Sequence, residues 1–267
     1  MLAMLRALVF ELLSMGRAFP TTQTSRTDIE RLIGHLQPMT VSSPLLRLGP
    51  IGDGGYLVPD DLVGVEACFS PGVAQVSGFE LDCAQRGIKV FMADRSVDRP
   101  AASHEMFHFQ KRYVGAVSND DFMTVDEWVS HAPLEATSDL MLQIDIEGFE
   151  YQTFLAMSDH LMRRFRIIVG EFHQLNQLWN EPYFTLVSAA FEKILQTHTC
   201  VHIHPNNQFA VFDRWGLAIP PLAEITFLRK DRVADARAAQ QFPHPLDADN
   251  TDRRHYALPR QWYAAPH

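Results

Sequence analysis

The sequence has few cysteines and few basic residues. Its 267 residues include only three cysteines, and 32 acidic side chains outnumber 23 basic ones, which gives a formal net charge of -9. Cys68, Cys83 and Cys200 form no pair at the short spacing of a zinc or redox motif, so we expect reduced thiols in a cytoplasmic protein. The acidic balance argues against a strongly basic surface, and we predict no nucleic-acid partner.

The sequence also lacks an uncharged apolar run of the ~20 residues that a membrane-spanning helix needs. Arg6, Glu11 and Arg17 interrupt the apolar amino terminus, which has neither the charge order nor the cleavage site of a signal peptide. Leucines recur there at helical spacing and predict an amphipathic helix that ends before Pro20. We expect this helix to pack on the domain or to join two chains as a homodimer, with contact to a membrane surface as the alternative.

The remaining composition is that of a globular protein, with 46% hydrophobic residues. We predict a helical extension over residues 1–45, one α/β domain over 46–230, and a polar tail over 231–267 that packs on the domain. In the extension, Thr27 or Asp28 is the predicted cap of a helix that continues to about residue 36.

Strand-like and helical segments alternate along the predicted domain. The strand-like runs are residues 65–73, 89–93, 113–117, 140–144, 166–170, 199–204 and 225–229, and the helical segments are 76–86, 124–131, 149–161 and 184–196. Such alternation predicts a mostly parallel sheet covered by helices on both faces. The last two strand-like runs have no helix between them, which predicts a closing antiparallel hairpin.

A dinucleotide fingerprint is missing, although the predicted strand ends carry polar residues. Gly72 follows the first strand without the second and third glycines of Gly-x-Gly-x-x-Gly, so little in the sequence provides for a pyrophosphate. Asp94 directly follows the second strand, about 20 residues after Gly72, where an acid can bind a ribose diol. This favours a cofactor without phosphates, such as S-adenosylmethionine; the alternative is that Asp94 is a turn residue.

A glycine turn precedes the first strand. Asp53, Gly54 and Gly55 form a turn signal that lets backbone approach a ligand closely, and a plain tight turn is the alternative. Arg47 precedes this turn. Its guanidinium could pair with a carboxylate such as that of the methionyl group of S-adenosylmethionine.

Acids and histidines follow the fourth and fifth predicted strands. Asp145 and Glu147 alternate after one strand, and Glu171 and His173 alternate after the next, so the two pairs should share an edge of the sheet. Oxygen and imidazole ligands together suit Mg²⁺, Mn²⁺ or Fe²⁺. The alternative is that Glu147 only begins a helix.

Two histidines and one further acid also bear on the predicted site. His202 and His204 form another alternating pair and offer imidazole groups to a metal, but a structural role is the alternative for both. Glu150 is interpreted as an acid that favours the start of a helix rather than as a site residue.

Several segments together resemble the FkbM-like methyltransferases. Residues 144–150, followed by Leu155, resemble the D-x-E-G-x-E motif of that family. The supporting segments are Thr124–Trp128, Arg47, Gly49, residues 53–56, the set Ser70, Gly72, Phe79 and Glu80, Glu171–His173, and His202, His204, Asn206 and Asn207. The resemblance covers roughly residues 45–230.

The resemblance implies a class I, Rossmann-like methyltransferase sheet of seven strands, S-adenosylmethionine as methyl donor and a hydroxyl acceptor on a small molecule, sugar or glycan. With it, we predict His173 and Asp145 as catalytic, His173 being the base. The predicted cofactor-binding residues are Arg47, Asp53, Gly54, Gly55, Tyr56, Ser70, Gly72, Asp94, Ser118 and Asp145. The predicted ligands of a Mg²⁺ or Mn²⁺ ion are Asp145, Glu147, Glu171, His173 and His204.

Two other functions stay open at this point. The same acids and histidines suit a metal-dependent hydrolase or oxygenase, which would have no need of Asp94 or Gly72. A non-catalytic protein that binds S-adenosylmethionine and assembles through its amino-terminal helix would keep the fold without the reaction.

Overall fold

The computed structural model describes residues 20–73 and 76–264, together with Met4, Val9, Glu11 and Leu13. The amphipathic helix predicted for the amino terminus therefore lies largely outside the described residues. Among the described residues, no helix has both the length and the apolar character to cross a bilayer.

The described elements alternate along the chain as the sequence predicts. The helices are α1 (Arg26–His35), α2 (Gly78–Gln85), α3 (Val125–Ser130), α4 (Glu150–Ala156), α5 (Asp159–Met162) and α6 (Glu181–Thr197). The strands are β1 (Met39–Thr40), β2 (Leu45–Leu48), β3 (Tyr56–Pro59), β4 (Val65–Pro71), β5 (Lys89–Ala93), β6 (Phe107–Gln110), β7 (Tyr113–Val114), β8 (Phe122–Met123), β9 (Asp139–Ile144), β10 (Phe165–Phe172), β11 (His198–Pro205), β12 (Phe212–Arg214), β13 (Leu217–Ile219), β14 (Ala223–Arg229) and β15 (Arg237–Ala238).

The central sheet has seven strands in the order β11-β14-β10-β9-β4-β5-β6. Strand β14 is antiparallel to both of its neighbours, and the other pairs are parallel. This is the predicted Rossmann-like, class I methyltransferase sheet, closed by the β11–β14 hairpin. The prediction of the fold class is confirmed.

The central strands are buried because helices cover both faces. All eight residues of β10 and five of the six in β9 are buried, as expected for strands in the middle of a parallel sheet. Helix α6 buries Val187, Ala190, Phe191 and Ile194, at the three- and four-residue spacing of one helical face. Fully burying a valine, isoleucine or phenylalanine side chain contributes about 1.5–3 kcal/mol, so this face of α6 stabilises the packing of the helix.

Two predicted elements differ from the structure. The third strand of the sheet is β6, not residues 113–117, because an edge strand with half-buried residues lacks a continuous apolar run. The helix predicted over 149–161 is divided into α4 and α5, since Met157 is extended and Ser158 caps a new helix by accepting from the Leu161 amide.

Helix α1 begins at Arg26, earlier than both of its predicted caps. The hydroxyl of Ser25 accepts a hydrogen bond from the Asp28 amide at 3.1 Å, so Ser25 is the cap rather than Thr27 or Asp28. Ile29, Leu32 and Ile33 of this helix are buried in the main core. The helix is therefore part of the packed structure.

The carboxyl-terminal tail lies across the described sheet. The side-chain amide of Asn207, which follows β11, donates to the backbone oxygens of Thr251 and Arg253. Near the end of the described chain, Trp262 is fully buried and its indole donates to the Ala218 oxygen at 3.0 Å. These contacts hold the tail against the edge of the sheet that carries the predicted site.

Candidate active site

A cleft of about 700 Å³ opens at the carboxyl ends of β4, β5 and β9. This is where an open parallel sheet binds its ligands, because the loops that leave neighbouring strands diverge there. Six of the ten predicted cofactor-binding residues line it: Asp53, Gly54, Tyr56, Gly72, Asp94 and Asp145.

At Gly72 the backbone passes very close to the backbone of Asp145. The residue has a φ of +90°, and a Cβ atom there would stand 1.6 Å from the Asp145 carbonyl oxygen. Its amide donates to the Ala93 oxygen at 3.0 Å, which joins the loop after β4 to the end of β5. Only glycine fits this position, so the end of β4, the end of β5 and Asp145 are locked together.

Asp94 stands in the cleft directly after β5. Its Oδ1 atom accepts from the amide of Ser96 at 2.7 Å and from the Ser96 hydroxyl at 2.6 Å. No hydrogen bond from the described residues reaches Oδ2. The turn interpretation and the ribose interpretation are therefore compatible, because one carboxylate oxygen fixes the turn and the other is left for a ligand.

One wall of the cleft is aromatic. The Tyr113 and Phe122 rings lie 5.2 Å apart between centroids, and the Phe122 and Phe149 rings lie 6.2 Å apart. Tyr113 is 39% exposed and Phe149 is 45% exposed, so both present ring surface to the cleft. Such a wall suits a flat heteroaromatic ring, which the sequence did not predict because the three rings come from separate segments.

The lining of the cleft is also acidic. Its lining includes five carboxylates and, among the described residues, no lysine or arginine. The five are Asp53, Glu80, Asp94, Asp145 and Glu147. Field lines from one sign of charge are concentrated in a cleft, so this one favours a cationic ligand over an anionic one.

Ser70 lies below the cleft rather than on its lining. Its hydroxyl is within hydrogen-bonding distance of Glu80 Oε1 at 2.5 Å and of Gln143 Oε1 at 2.6 Å. Burial raises the pKa of Glu80, while the Ser70 hydroxyl opposes that shift. Ser70 thus holds two cleft residues, and sequence reasoning identified neither Gln143 nor the support that Ser70 gives it.

Asp145, Glu171 and His173 form a cluster at the ends of β9 and β10. Each offers one ligand atom, and the three atoms lie within 4.8 Å of one another. The Oδ1 atom of Asp145 is buried and accepts no hydrogen bond among the described residues, which leaves it available to a cation. The sequence predicted this meeting of the two strand ends.

Burial changes the protonation of the clustered acids. It raises the pKa of Asp145 to about 7; the charge of His173 opposes the shift, and that of Glu150 adds to it. Burial and the charges of Asp145 and Glu224 also raise the pKa of Glu171 well above its ordinary value. A bound cation or a bound proton would therefore stabilise these two buried acids.

Glu150 orients the His173 ring. Its Oε1 atom accepts from the amides of Ile146 and Gly148 at 3.1 and 3.0 Å and lies 3.1 Å from His173 Nδ1. The Nε2 atom of the same ring lies 3.8 Å from Asp145 Oδ1. Glu150 is fully buried, so the structure gives it a role that its position at the start of a helix did not indicate.

Glu147 stands at the rim of this cluster. Its side chain is 88% exposed, and its Oε2 atom lies 3.5 Å from His173 Nε2. It is not one of the three residues whose ligand atoms converge. It lines the cleft and so lies near any ligand there, but the three ligand atoms that converge belong to Asp145, Glu171 and His173.

The loop before β3 reaches the cleft through Asp53, Gly54 and Tyr56. Arg47 and Gly55 are not part of the lining. The Arg47 guanidinium instead donates to the Pro50 oxygen at 2.7 Å and to the Gly52 oxygen at 2.8 Å. Its geometry is that of a brace for the loop rather than of a partner for a ligand carboxylate.

His204 lies away from the cluster. Strand β14 separates it from β10, and Glu224 of β14 is paired with Glu171 on one side and with His204 on the other. The Nδ1 atom of His204 lies 3.5 Å from Asp247 of the tail, and His202 binds the same carboxylate at 2.8 Å. Both histidines thus contact the tail through Asp247, and neither is among the three residues whose ligand atoms converge.

Ser118 also lies outside the cleft lining. Its hydroxyl accepts a hydrogen bond from the Thr124 amide at 3.2 Å, just before helix α3. The sequence placed it at the end of a sheet strand, but the sheet strand ends earlier, at Gln110. The error in the third strand therefore explains why this residue was expected in the site.

Comparisons with known proteins add little to this geometry. No protein-family model matches the chain, and no curated protein sequence matches it. Among solved structures, the N-methyltransferase NodS from Bradyrhizobium japonicum WM9 is similar over 62% of this chain and 88% of its own, with 10% identity and a TM-score of 0.36. A Thermoplasma acidophilum protein assigned as a methyltransferase is similar over 67% of this chain and 80% of its own, with 11% identity and a TM-score of 0.33. At these scores the likeness carries no argument of its own, and the strand order of the sheet remains the basis for the fold.

Proposed function

We propose that the chain is an S-adenosylmethionine-dependent O-methyltransferase that acts on a hydroxyl of a small molecule, a sugar or a glycan. The observation that carries this proposal is the charge of the cleft, which five carboxylates line with no lysine or arginine among the described residues. S-adenosylmethionine brings a sulfonium and an ammonium group, whereas a dinucleotide brings phosphates. The acidic cleft favours the first. The resemblance of residues 144–150 to the FkbM-like motif supports the same family.

The cleft residues fit the parts of that cofactor. Asp94 has a carboxylate oxygen left for a ribose diol, and the aromatic wall of Tyr113, Phe122 and Phe149 suits adenine. Glu80 and the other acids suit the cationic groups. Bound there, S-adenosylmethionine supplies a methyl group that is already activated for transfer to a nucleophile.

The residues of the cluster would prepare the acceptor. An alkyl hydroxyl is a poor nucleophile at neutral pH, so its proton has to be removed as the new bond forms. His173 suits the role of base, because Glu150 engages Nδ1 and leaves Nε2 facing Asp145. Asp145 would hold the acceptor hydroxyl against the methyl group, which is the positioning that such a transfer chiefly requires.

A divalent cation fits the same cluster. Two carboxylates and one imidazole are a suitable ligand set for Mg²⁺ or Mn²⁺, and the unpartnered Oδ1 of Asp145 supports the fit. Asp145, Glu171 and His173 would hold the ion, which would lower the pKa of an acceptor hydroxyl. In that arrangement His173 is a ligand, and another group takes the proton.

A metal-dependent hydrolase or oxygenase is the second candidate, and the Asp145, Glu171 and His173 cluster is the observation that favours it. Such an enzyme would leave Asp94 and the aromatic wall without a role. A non-catalytic protein that binds S-adenosylmethionine would leave the Glu150–His173 arrangement without one.

Calorimetric titration with S-adenosylmethionine, S-adenosylhomocysteine and NAD⁺ tests the proposal. We expect both sulfur compounds to bind and NAD⁺ not to bind. Absence of binding by both sulfur compounds would sink the proposal. Transfer of a labelled methyl group to a panel of hydroxyl acceptors then separates the enzyme from a non-catalytic binder.

The cation is tested separately. Paramagnetic resonance of Mn²⁺ titrated into the protein should show a bound ion, and Glu171→Gln should weaken its affinity by about 10-fold or more. Glu192→Gln, on the exposed face of α6, is the matched control and should bind Mn²⁺ as the unaltered protein does. Full activity after EDTA treatment, with no gain on adding Mg²⁺ or Mn²⁺, would rule out a required cation. His173 would then remain the proposed base.

A further inference from the structure

A second cavity, of about 440 Å³, lies between the segment before α1, the 3₁₀ helix Leu175–Trp179 and the β12–β13 hairpin. Its lining differs from that of the acidic cleft. Five of its eight lining residues carry uncharged hydroxyl or amide groups, and the charged side chain among them is Arg214. These five are Thr21, Gln23, Asn176, Gln177 and Asn180. Its volume is within the range of about 300–1,000 Å³ that small-molecule sites have.

Trp179 lines this cavity, and the Trp215 ring, which is not itself on the lining, packs against it. The Trp179 and Trp215 rings lie 5.3 Å apart between centroids and are nearly perpendicular, at 89°. The Arg214 guanidinium lies over both, 4.3 Å from the Trp215 centroid and 5.3 Å from that of Trp179. Trp215 is nevertheless 62% exposed, so a large part of its surface is open to a ligand.

The tip that carries Trp215 is held in place. Trp215 and Gly216 form a tight turn with positive φ angles of 53° and 76°. Arg26 of α1 donates to the Trp215 oxygen at 2.6 Å, and Gln261 of the tail donates to the Gly216 oxygen at 3.0 Å. A large aromatic side chain is therefore fixed at an exposed position, so its open ring surface is available to a ligand.

The other side of the cavity is also fixed, and it has unused hydrogen-bonding groups. The Thr24 amide donates to the Trp179 oxygen at 3.0 Å, and Thr21 donates to Asn180 at 2.9 Å. Trp179 is only 5% exposed, yet its buried indole nitrogen has no acceptor in the described structure. No hydrogen bond among the described residues engages the side-chain amides of Asn176 and Gln177. A polar ligand would satisfy all three.

We propose that this cavity and the exposed Trp215 ring next to it together form a saccharide-binding site that takes a neutral sugar ring. The negative face of an indole attracts the positively polarised C–H groups on one side of a pyranose ring. The amide groups supply paired donors and acceptors for its hydroxyls, and the guanidinium of Arg214 is a further donor on the described lining. A nucleotide would meet a single cation here, so a neutral sugar is the better match.

The site does not depend on the proposed methyl transfer, although it lies on the same edge of the protein. The 3₁₀ helix that carries Trp179 begins at Leu175, close in sequence to His173. A glycan held at Trp215 could therefore extend toward the candidate active site. If the methyltransferase proposal fails, the saccharide site is still testable, because its binding is measured without cofactor.

The first test is a glycan array of glucose, galactose, mannose and N-acetylglucosamine oligomers. Uronic-acid oligomers are included as charged ligands. We expect at least one neutral oligomer to bind, and its addition to shift the indole N–H resonance of Trp179. Trp215→Ala should weaken that binding by about 10-fold or more, as loss of one stacking platform does. Trp215→Phe should retain part of it.

Tyr256→Ala is the matched control, because Tyr256 is an aromatic residue with the Arg254 guanidinium 5.8 Å from its ring. Unlike Trp215, it has no ring contact with Trp179 in the described structure. It should bind glycans as the unaltered protein does. The Asn176→Ala and Gln177→Ala double variant, whose polar side chains are not part of the core, should also lose binding and keeps the test valid if Trp215→Ala fails to fold. Absence of binding to every oligomer, equal binding by Trp215→Ala, or a Trp179 shift with a proline-rich peptide but no sugar would each overturn the proposal.

Discussion

Glu150 Oε1 lies 3.1 Å from His173 Nδ1, while Nε2 of the same ring faces Asp145 Oδ1 at 3.8 Å. The two residues come from α4 and from the end of β10, so the contact joins separate parts of the sheet edge. A buried carboxylate that engages one nitrogen fixes both the orientation of the ring and the nitrogen that is left free. This is useful for a general base and for a metal ligand alike.

Replacing Glu150 with glutamine should therefore reduce turnover. Glutamine can still accept from the Ile146 and Gly148 amides, but it removes the negative charge beside His173. We expect kcat to fall by about 10- to 100-fold while the affinity for S-adenosylmethionine stays within about 2-fold. Steady-state kinetics and calorimetry measure the two quantities. The control Glu192→Gln should change neither, and unchanged turnover in Glu150→Gln would show that His173 needs no orientation.

Gly72 should not tolerate a side chain. In Gly72→Ala the new Cβ would meet the Asp145 carbonyl oxygen, so the loop or the end of β9 must move. We expect a loss of unfolding free energy of about 2 kcal/mol or more and at least a 10-fold loss of affinity for S-adenosylmethionine. Calorimetry and thermal unfolding measure both effects.

Gly87→Ala is the control for the Gly72 variant. Gly87 also has a positive φ, +79°, but nothing lies within 4 Å of the position of its Cβ atom. This variant should carry only the backbone strain, about 1–2 kcal/mol, and should keep its cofactor affinity. Equal affinity in both variants would mean that the Gly72 loop is not part of the cofactor site.

Asp94→Ala should weaken the binding of both S-adenosylmethionine and S-adenosylhomocysteine. The ribose is common to S-adenosylmethionine and S-adenosylhomocysteine, so loss of a charged hydrogen-bond acceptor should reduce both affinities by about 10- to 100-fold. Asp98→Ala, on the exposed loop after β5, is the control, since its side chain pairs with Lys111 and with no other described residue. A loss confined to S-adenosylmethionine would point to the sulfonium rather than the ribose as the partner of Asp94.

His198 should make the fold sensitive to mild acid. The residue is fully buried, and burial lowers its pKa to about 4, although its contact with the Phe165 oxygen opposes the shift. On unfolding, the ring returns to an ordinary pKa of about 6.5. Below that value the unfolded chain takes up a proton that the folded chain does not, so stability is full above about pH 6.5 and falls as the pH approaches 4.

Urea unfolding at about pH 7.5 and about pH 5 measures this effect. Relative to His198→Gln, the unaltered protein should lose about 2 kcal/mol more between the two conditions. His160→Gln, at an exposed histidine of α5, should behave as the unaltered protein does. An equal loss in both variants and the unaltered chain would mean that His198 is protonated in the folded state.

The sequence predicts the sheet and the meeting of Asp145 with Glu171 because both follow from periodicity and strand polarity. Apolar runs identify buried parallel strands, and the carboxyl ends of such strands necessarily lie at one edge. The same reasoning failed for the third strand, β6, whose residues are only partly buried and whose pattern is not apolar. Ser118 was misplaced for that reason.

The remaining site features depend on contacts that no local pattern encodes. Glu150 looks like any acid at the start of a helix, and only the fold brings it to His173. Arg47 looks like an anion-binding residue until its guanidinium is found on the carbonyl oxygens of its own loop. Trp179 and Trp215 are far apart in sequence, so their meeting could not be inferred from spacing.

Glu171 and Glu224 are directly opposed on β10 and β14, and both are buried. Burial raises the pKa of each, to about 7 for Glu224, so the pair resists being charged twice. Like charges at such positions weaken a sheet. Glu171 belongs to the proposed cation site, so we expect this pair to lower resistance to unfolding in the free protein and to favour binding of a cation. Substitutions that make the free protein more heat-resistant should be easy to find here, and they should be the ones that cost it function.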